Sequence, residues 1–246
     1  MTTDAFARIR IVLVRPSHPG NIGASARALA TMGLARLVLV RPKHFPHADA
    51  RALASNALEV LDQARVCASL EEALSGTSVA IAMSARAREL SHPVLDARAA
   101  AQEAYAAAQS AEVALVFGSE GSGLDNDEVM KCNRLAAIPA NPDYPSLNLA
   151  AAVQIMAYEI GRAGTDAARA DRPATVFASF EQTEKFFAHL ERSLRLSGYL
   201  HPRYPRRLMQ RLRRLFGRSR LEKAEVNVLR GMLVAWDEKS RAAGKK

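Results

Sequence analysis

Five short apolar runs, none of which alternates with polar residues, constrain this chain more than any other feature. They cover residues 9–14, 37–40, 79–83, 113–117 and 135–138, and several are rich in β-branched residues. A strand with one wet face alternates, so runs like these fit strands covered on both faces, as in a parallel sheet between helices. Ala-rich segments of helical length separate them, over 22–32, 50–61, 70–74, 97–109 and 147–162. Strand and helix in alternation predict a layered α/β domain with a sandwiched sheet, here over residues 1–162. Ser69 with Glu72 three positions on predicts a capping box. Gly33 stands at the C′ position of the first helix. Residues 161–175 lack apolar periodicity and hold Gly161, Gly164 and Pro173, which places a linker over 163–175.

Three more helical patterns fill residues 176–246. The first is capped by Ser179 with Gln182 and carries Phe180, Phe187, Leu190 and Leu194. The second carries Leu208, Leu212 and Leu215, and the third Leu229, Met232, Leu233 and Trp236. Charge separates this extension from the rest. Residues 1–175 hold 17 Lys+Arg against 18 Asp+Glu, whereas residues 176–246 hold 17 against 7. The whole formal charge of +9 therefore comes from the extension. Seven arginines lie between 206 and 220, among them Arg207, Arg211 and Arg214. Arg suits bidentate phosphate contact, which makes RNA or DNA the expected partner, and a solvated helix face the alternative.

Composition excludes several classes. An apolar content of 49% is that of a globular chain rather than a disordered one. Cys67 and Cys132 make neither a disulfide framework nor a C-x-x-C zinc site. His44 and His47 lie close together without a third ligand cluster, so no metal is expected. There is no signal-peptide core at the start and no membrane span of about 20 apolar residues. A cytoplasmic protein without membrane contact is expected.

The candidate chemistry lies where the strands end, at the edge where open parallel sheets bind ligands. Pro16-Ser17-His18-Pro19-Gly20-Asn21 turns into a helix that carries Arg27. The backbone N–H groups there can meet an anion, and Asn21 either caps the helix or joins Arg27 at a site. Phe117-Gly118-Ser119-Glu120-Gly121-Ser122-Gly123-Leu124 follows a strand, and its glycines allow close backbone approach to a ligand. It matches neither the phosphate-loop nor the G-x-G-x-x-G pattern, which disfavours phosphate-loop hydrolases and dinucleotide dehydrogenases. The segment from Ile138 through Tyr144, Pro145, Ser146, Leu147 and Asn148 joins the last strand to a long helix, which Ser146 or Asn148 can cap. A weaker signal is Ser84-Ala85-Arg86-Ala87-Arg88, whose arginines are either substrate contacts or solvated charges.

In order and spacing, these segments resemble the three signature motifs of the SPOUT class of RNA methyltransferases. More narrowly, the chain is similar to the bacterial tRNA ribose 2′-O-methyltransferases that act on cytidine or uridine at position 32 of the anticodon loop. The tail patterns Leu212-Arg213-Arg214-Leu215-Phe216 and Asn227-Val228-Leu229-Arg230-Gly231 resemble that family's extension. The resemblance implies a SPOUT-type parallel sheet with a trefoil knot, a homodimer, tRNA as partner and S-adenosylmethionine as methyl donor. It implies a donor pocket of Met83, Ser84, Ala85, Gly118, Ile138, Pro145, Ser146, Leu147 and Asn148, with Glu120 and Asn148 holding the loops in shape. Arg86, Arg88, Arg207, Arg211 and Arg214 become the expected RNA contacts. Relatives often carry Arg where this chain has Gly121. Asn21, Arg27 and His18 form the expected catalytic group. The resemblance places Arg27 at deprotonation of the 2′-hydroxyl, yet a guanidinium is effectively always protonated. Arg27 is therefore read as holding a phosphate and orienting the hydroxyl, while an RNA phosphate or His18 takes the proton. The alternatives are a ribose methyltransferase of rRNA or another tRNA position, and a non-catalytic RNA-binding protein of the same fold.

Overall fold

The computed structural model describes residues 4–84, 93–167, 176–201 and 207–243. Seven strands form one sheet in the order β3-β2-β1-β6-β4-β7-β5, and every neighbouring pair runs parallel. They are β1 (Ile9–Val14), β2 (Arg36–Val40), β3 (Arg65–Cys67), β4 (Thr77–Met83), β5 (Val94–Asp96), β6 (Glu112–Phe117) and β7 (Arg134–Ala137). Successive side chains of a strand point to opposite faces, and here both faces are covered. Ile9, Ile11, Leu13, Ile81 and Leu115 pack with α2 (Pro19–Thr31), α6 (Ala97–Ala108) and α8 (Leu149–Ala167). Val12, Val14, Ala82 and Val116 pack with α5 (Leu70–Leu74) and α7 (Asn126–Lys131). Burial on both faces is why the strand sequences do not alternate. Of the remaining helices of this domain, α1 (Asp4–Ala7) leads into β1, while α3 (Ala48–Ala54) and α4 (Leu58–Asp62) lie between β2 and β3.

Several expectations need correction. The predicted helix over 50–61 is two helices, broken at Ser55, whose φ is 52°. Strands β3 and β5 each take an edge of the sheet with three residues that are mostly exposed, so no apolar run marks them. The linker does not begin at 163, because α8 continues to Ala167. Gly164 is a packing position: an added Cβ would come within 3.0 Å of the Phe6 ring and 3.2 Å of the Tyr105 ring. The rest of the predicted linker, 168–175, lies outside the described residues. Ser69 caps α5 by accepting from the Glu72 N–H at 3.2 Å, but the Glu72 carboxylate turns to the N–H of Ala68, so the box is half formed. Gly33 takes the left-handed φ of +75° that its position after α2 requires.

The extension folds as α9 (Phe180–Leu196), α10 (Leu208–Gly217) and α11 (Lys223–Ala243) around Phe186, Phe187, Leu190, Leu194, Val226 and Leu233. The capping box at Ser179 forms in full. Met232 and Trp236 of the predicted third stripe face outward. The extension docks against the amino-terminal edge of the sheet. Glu181 accepts at 2.6 Å from both the Ser75 hydroxyl and the Gly76 N–H, just before β4. Arg134, the first residue of β7, donates to the carbonyl of Gly217. No helix among the described residues is long and apolar enough to cross a membrane.

Candidate functional site

At the opposite, carboxyl-terminal edge, the turns after β1, β6 and β7 converge. The carboxylate of Glu120 is their meeting point. It accepts from the Ser17 N–H and hydroxyl, each at 2.8 Å, from the His18 N–H at 3.1 Å and from Asn21 Nδ2 at 2.9 Å. Burial alone raises its pKa, but these donors win and hold it at about 2. With Nδ2 committed to the carboxylate, Asn21 presents Oδ1 to Asn148 Nδ2 at 3.0 Å. Asn148 in turn uses its Oδ1 to accept from the N–H groups of Ala150 and Ala151, capping α8. Each amide thus has only one workable orientation. Asn21 lies inside α2 rather than capping it, since His18 is the cap residue and makes no side-chain capping bond.

Beside this network lies a cavity of about 220 Å³. Its walls include Met83, Ser84, Gly118, Ile138, Pro145, Ser146 and Leu147, seven of the nine residues expected there. Asn148 does not line the cavity and is instead the cap and tie of α8, and Ala85 lies outside the described residues, as do Arg86 and Arg88. Phe117, Ser119 and Ser122 also line the cavity. The strand run and glycine loop contain all three positions, but only the fold shows Ser119 and Ser122 joined at 2.8 Å between hydroxyl oxygens. Gly118 is essential to this shape: an added Cβ would come 2.0 Å from the Gly123 carbonyl carbon. At Gly121 an added Cβ meets nothing. Apolar walls from Met83, Phe117, Ile138 and Leu147, with hydroxyls and a carboxylate at the rim, fit a ligand with a flat ring and a polar, charged tail.

Arg27 is exposed on α2, about 9 Å further along the axis than Asn21, and lines no part of the cavity. His18, just before α2, is exposed and lines no part of the cavity either, while its backbone N–H ties to Glu120. Among the described residues no group of three or more His, Cys, Asp or Glu could hold a metal.

The basic cluster divides. Arg211, Arg214 and Arg218, with Leu215, line a hollow on α10, and Arg207 precedes it, exposed. Arg213 points the other way: its two terminal nitrogens meet the Glu184 carboxylate at 2.5 and 2.8 Å, and its guanidinium lies 4.4 Å from the Phe187 ring centre. Arg220 lies 4.1 Å over the Phe177 ring and 3.5 Å from Glu103. Of the six described arginines of this cluster, Arg213 and Arg220 therefore serve the fold, and Arg206 lies outside the described residues.

Parallel strands, a cleft at their carboxyl edge built from three chain-distant turns, and an appended basic helical module define an α/β domain with a candidate ligand cleft and a basic helical extension. Residues 8–158 match the SpoU rRNA Methylase family, and residues 181–245 match the C-terminal domain of the tRNA methyltransferase TrmJ. The chain belongs to the SpoU methylase family. It is 47% identical to the tRNA (cytidine/uridine/adenosine-2′-O-)-methyltransferase TrmJ of Pseudomonas aeruginosa, over 97% of each chain. It is 45% identical to the tRNA (cytidine/uridine-2′-O-)-methyltransferase TrmJ of Klebsiella pneumoniae, over 95% of this chain and 98% of that one. Among solved structures, TrmJ from Z. mobilis superimposes with a TM-score of 0.79 at 34% identity, covering 92% of this chain and 97% of the other.

Proposed function

We propose that this protein methylates the 2′-hydroxyl of a tRNA ribose, with S-adenosylmethionine as donor and cytidine or uridine at position 32 as the target nucleotide. The observation that carries the reading is the cleft: seven of the residues expected around the donor line one cavity, and Glu120, Asn21 and Asn148 lock its three turns together. When bound, the donor supplies a sulfonium methyl group for in-line displacement by the ribose oxygen. Alignment is then the main catalytic need, and the hydrogen-bonded turns provide a rigid frame for it. Asn21, engaged at both ends of its amide, acts as a positioning residue. His18 is the proposed proton acceptor, with an RNA phosphate as the alternative. Arg27 holds a phosphate and orients the hydroxyl. Its place away from its own cleft supports a homodimer in which it serves the partner subunit. The knot comes with the family, the transferase domain runs to the end of α8 at Ala167, and the extension binds tRNA through Arg207, Arg211 and Arg214. Arg86 and Arg88 remain proposed RNA contacts, Ala85 a proposed donor contact, and the cytoplasm the proposed location.

One structural relative, described as acting in 2-OH methylation of C/U34 on tRNA, matches at 28% identity and a TM-score of 0.51, so another tRNA position is the second reading. Mass spectrometry of tRNA nucleosides from a deletion strain decides between them. Loss of 2′-O-methylation at position 32 is expected, and loss confined to another position, or to rRNA, overturns the assignment. Substitution Arg27→Ala should abolish transfer, and near-normal turnover on bound RNA removes Arg27 from the mechanism. A pH–rate profile unchanged in His18→Ala clears His18.

A further inference from the structure

Helix α10 lies under the amino edge of the sheet, where Gly217 meets Arg134, and the cleft opens at the carboxyl edge. A six-residue strand separates the two edges, about 20 Å. RNA held on α10 alone would be gripped far from the ribose in its own chain's cleft. A second cationic surface stands at the cleft edge itself. Strand β2 runs out into Arg41-Pro42-Lys43-His44-Phe45-Pro46-His47, a segment with no acidic residue. This loop is held in place: Lys43 N–H donates to the Pro16 carbonyl at 3.0 Å, one residue before the Ser17 that binds Glu120. Phe45 anchors it against the main core. The side chains of Arg41, Lys43 and His44 are exposed, and among the described residues Arg41 and Lys43 have no ion-pair partner.

The turns after β1 and β2 show why this matters. Each begins with an arginine in the left-handed region, Arg15 at φ 50° and Arg41 at φ 45°. L residues adopt that conformation at a cost. Arg15 offsets it by turning inward to the buried carboxylate of Glu128. Arg41 donates its backbone N–H to the Cys67 carbonyl, and its guanidinium meets no described carboxylate. Unlike Arg15, Arg41 therefore leaves its guanidinium exposed and without a described carboxylate partner.

We infer that the 41–47 loop is a second RNA-binding surface, on which Arg41 and Lys43 hold backbone phosphates of nucleotides flanking the ribose in the cleft. This rests on the RNA methyltransferase reading. A guanidinium fork and an ammonium point charge bind phosphate oxygens in complementary ways, and neither reads base identity. The loop therefore sets register and affinity, leaving nucleotide choice to the cleft.

The test is the Arg41→Gln/Lys43→Gln double variant of the full chain, titrated with a tRNA transcript across a salt series and compared with the unaltered protein. Two lost single-strand phosphate contacts should weaken binding on the order of tenfold at about 0.15 M salt and reduce the slope of log K against log salt by about 1.4. The KM for tRNA should rise in parallel, while melting temperature and affinity for S-adenosylmethionine stay unchanged. If the unaltered protein binds and methylates tRNA and the variant keeps the same affinity and slope, the inference fails and the transferase reading stands. A variant whose affinity for S-adenosylmethionine falls with that for tRNA also overturns it, because the loop then shapes the cleft. An unaltered protein that neither binds nor methylates tRNA sinks both.

Discussion

The two edges of the sheet treat polar side chains in opposite ways. At the carboxyl edge, Glu120, Asn21 and Asn148 spend their hydrogen bonds on one another and on backbone, so that three turns distant in sequence hold one shape. At the amino edge, the arginines of the extension divide. Arg213 and Arg220 are consumed by Glu184, Glu103 and two aromatic rings, while Arg207, Arg211, Arg214 and Arg218 have no described acidic partner. The difference separates two kinds of function. A site that must align a reacting group saturates its polar atoms internally, whereas a surface that must meet a polyanion leaves cations unpaired.

Breaking the rigid side should have the larger effect. In Gly118→Ala the new Cβ would collide with the backbone at Gly123, so the loop must open. Donor affinity or turnover should fall on the order of 100-fold, as small misplacements at reacting centres do. Normal activity in that variant would show that the loop has slack. On the electrostatic side, Arg211→Gln/Arg214→Gln should weaken tRNA binding on the order of tenfold and flatten its salt dependence. Its melting temperature should not change. Arg213→Gln sharpens the comparison by reversing the pattern: lost stability on the order of 1 kcal/mol, with little change in salt slope.

The remaining effects are smaller and thermodynamic. Glu120 has a folded pKa of about 2, below the ordinary carboxylate value of 4.5. Its charged form therefore stabilises the fold fully above pH 4.5, and that contribution is lost as pH falls toward about 2. In Glu120→Gln, melting temperature should drop at neutral pH, and the gap from the unaltered protein should narrow across that acid window. A gap independent of pH would contradict the network. Asn148→Ala removes both the cap of α8 and the tie to Asn21, and should cost about 1 kcal/mol in a melting experiment.

Much of this was legible before the fold. Doubly covered strands announce themselves by unbroken apolar runs, and all five runs are strands with shifts of a residue or two at their ends. Edge strands β3 and β5 left no such trace, because exposed three-residue strands are held by pairing alone. Gly161 and Gly164 read locally as linker signals, whereas Gly164 lets α8 close on Phe6 and Tyr105. Asp125 and Glu128 form a capping box that starts α7, a spacing present in the sequence itself. The motifs located the cleft because glycine loops and strand ends are local. What they could not give was the division of the arginines or the direction of the Asn21 amide. Both depend on partners far away in sequence, Glu184 for Arg213 and Glu120 for Asn21.

The central claim is that three separate turns make one pocket for a sulfonium donor. Calorimetric titration of the purified chain with S-adenosylmethionine, beside Gly118→Ala checked for intact secondary structure, tests it most directly. One saturable site per chain, abolished by the substitution, is the predicted result. No heat of binding to the unaltered protein, or equal affinity in the two proteins, would contradict it.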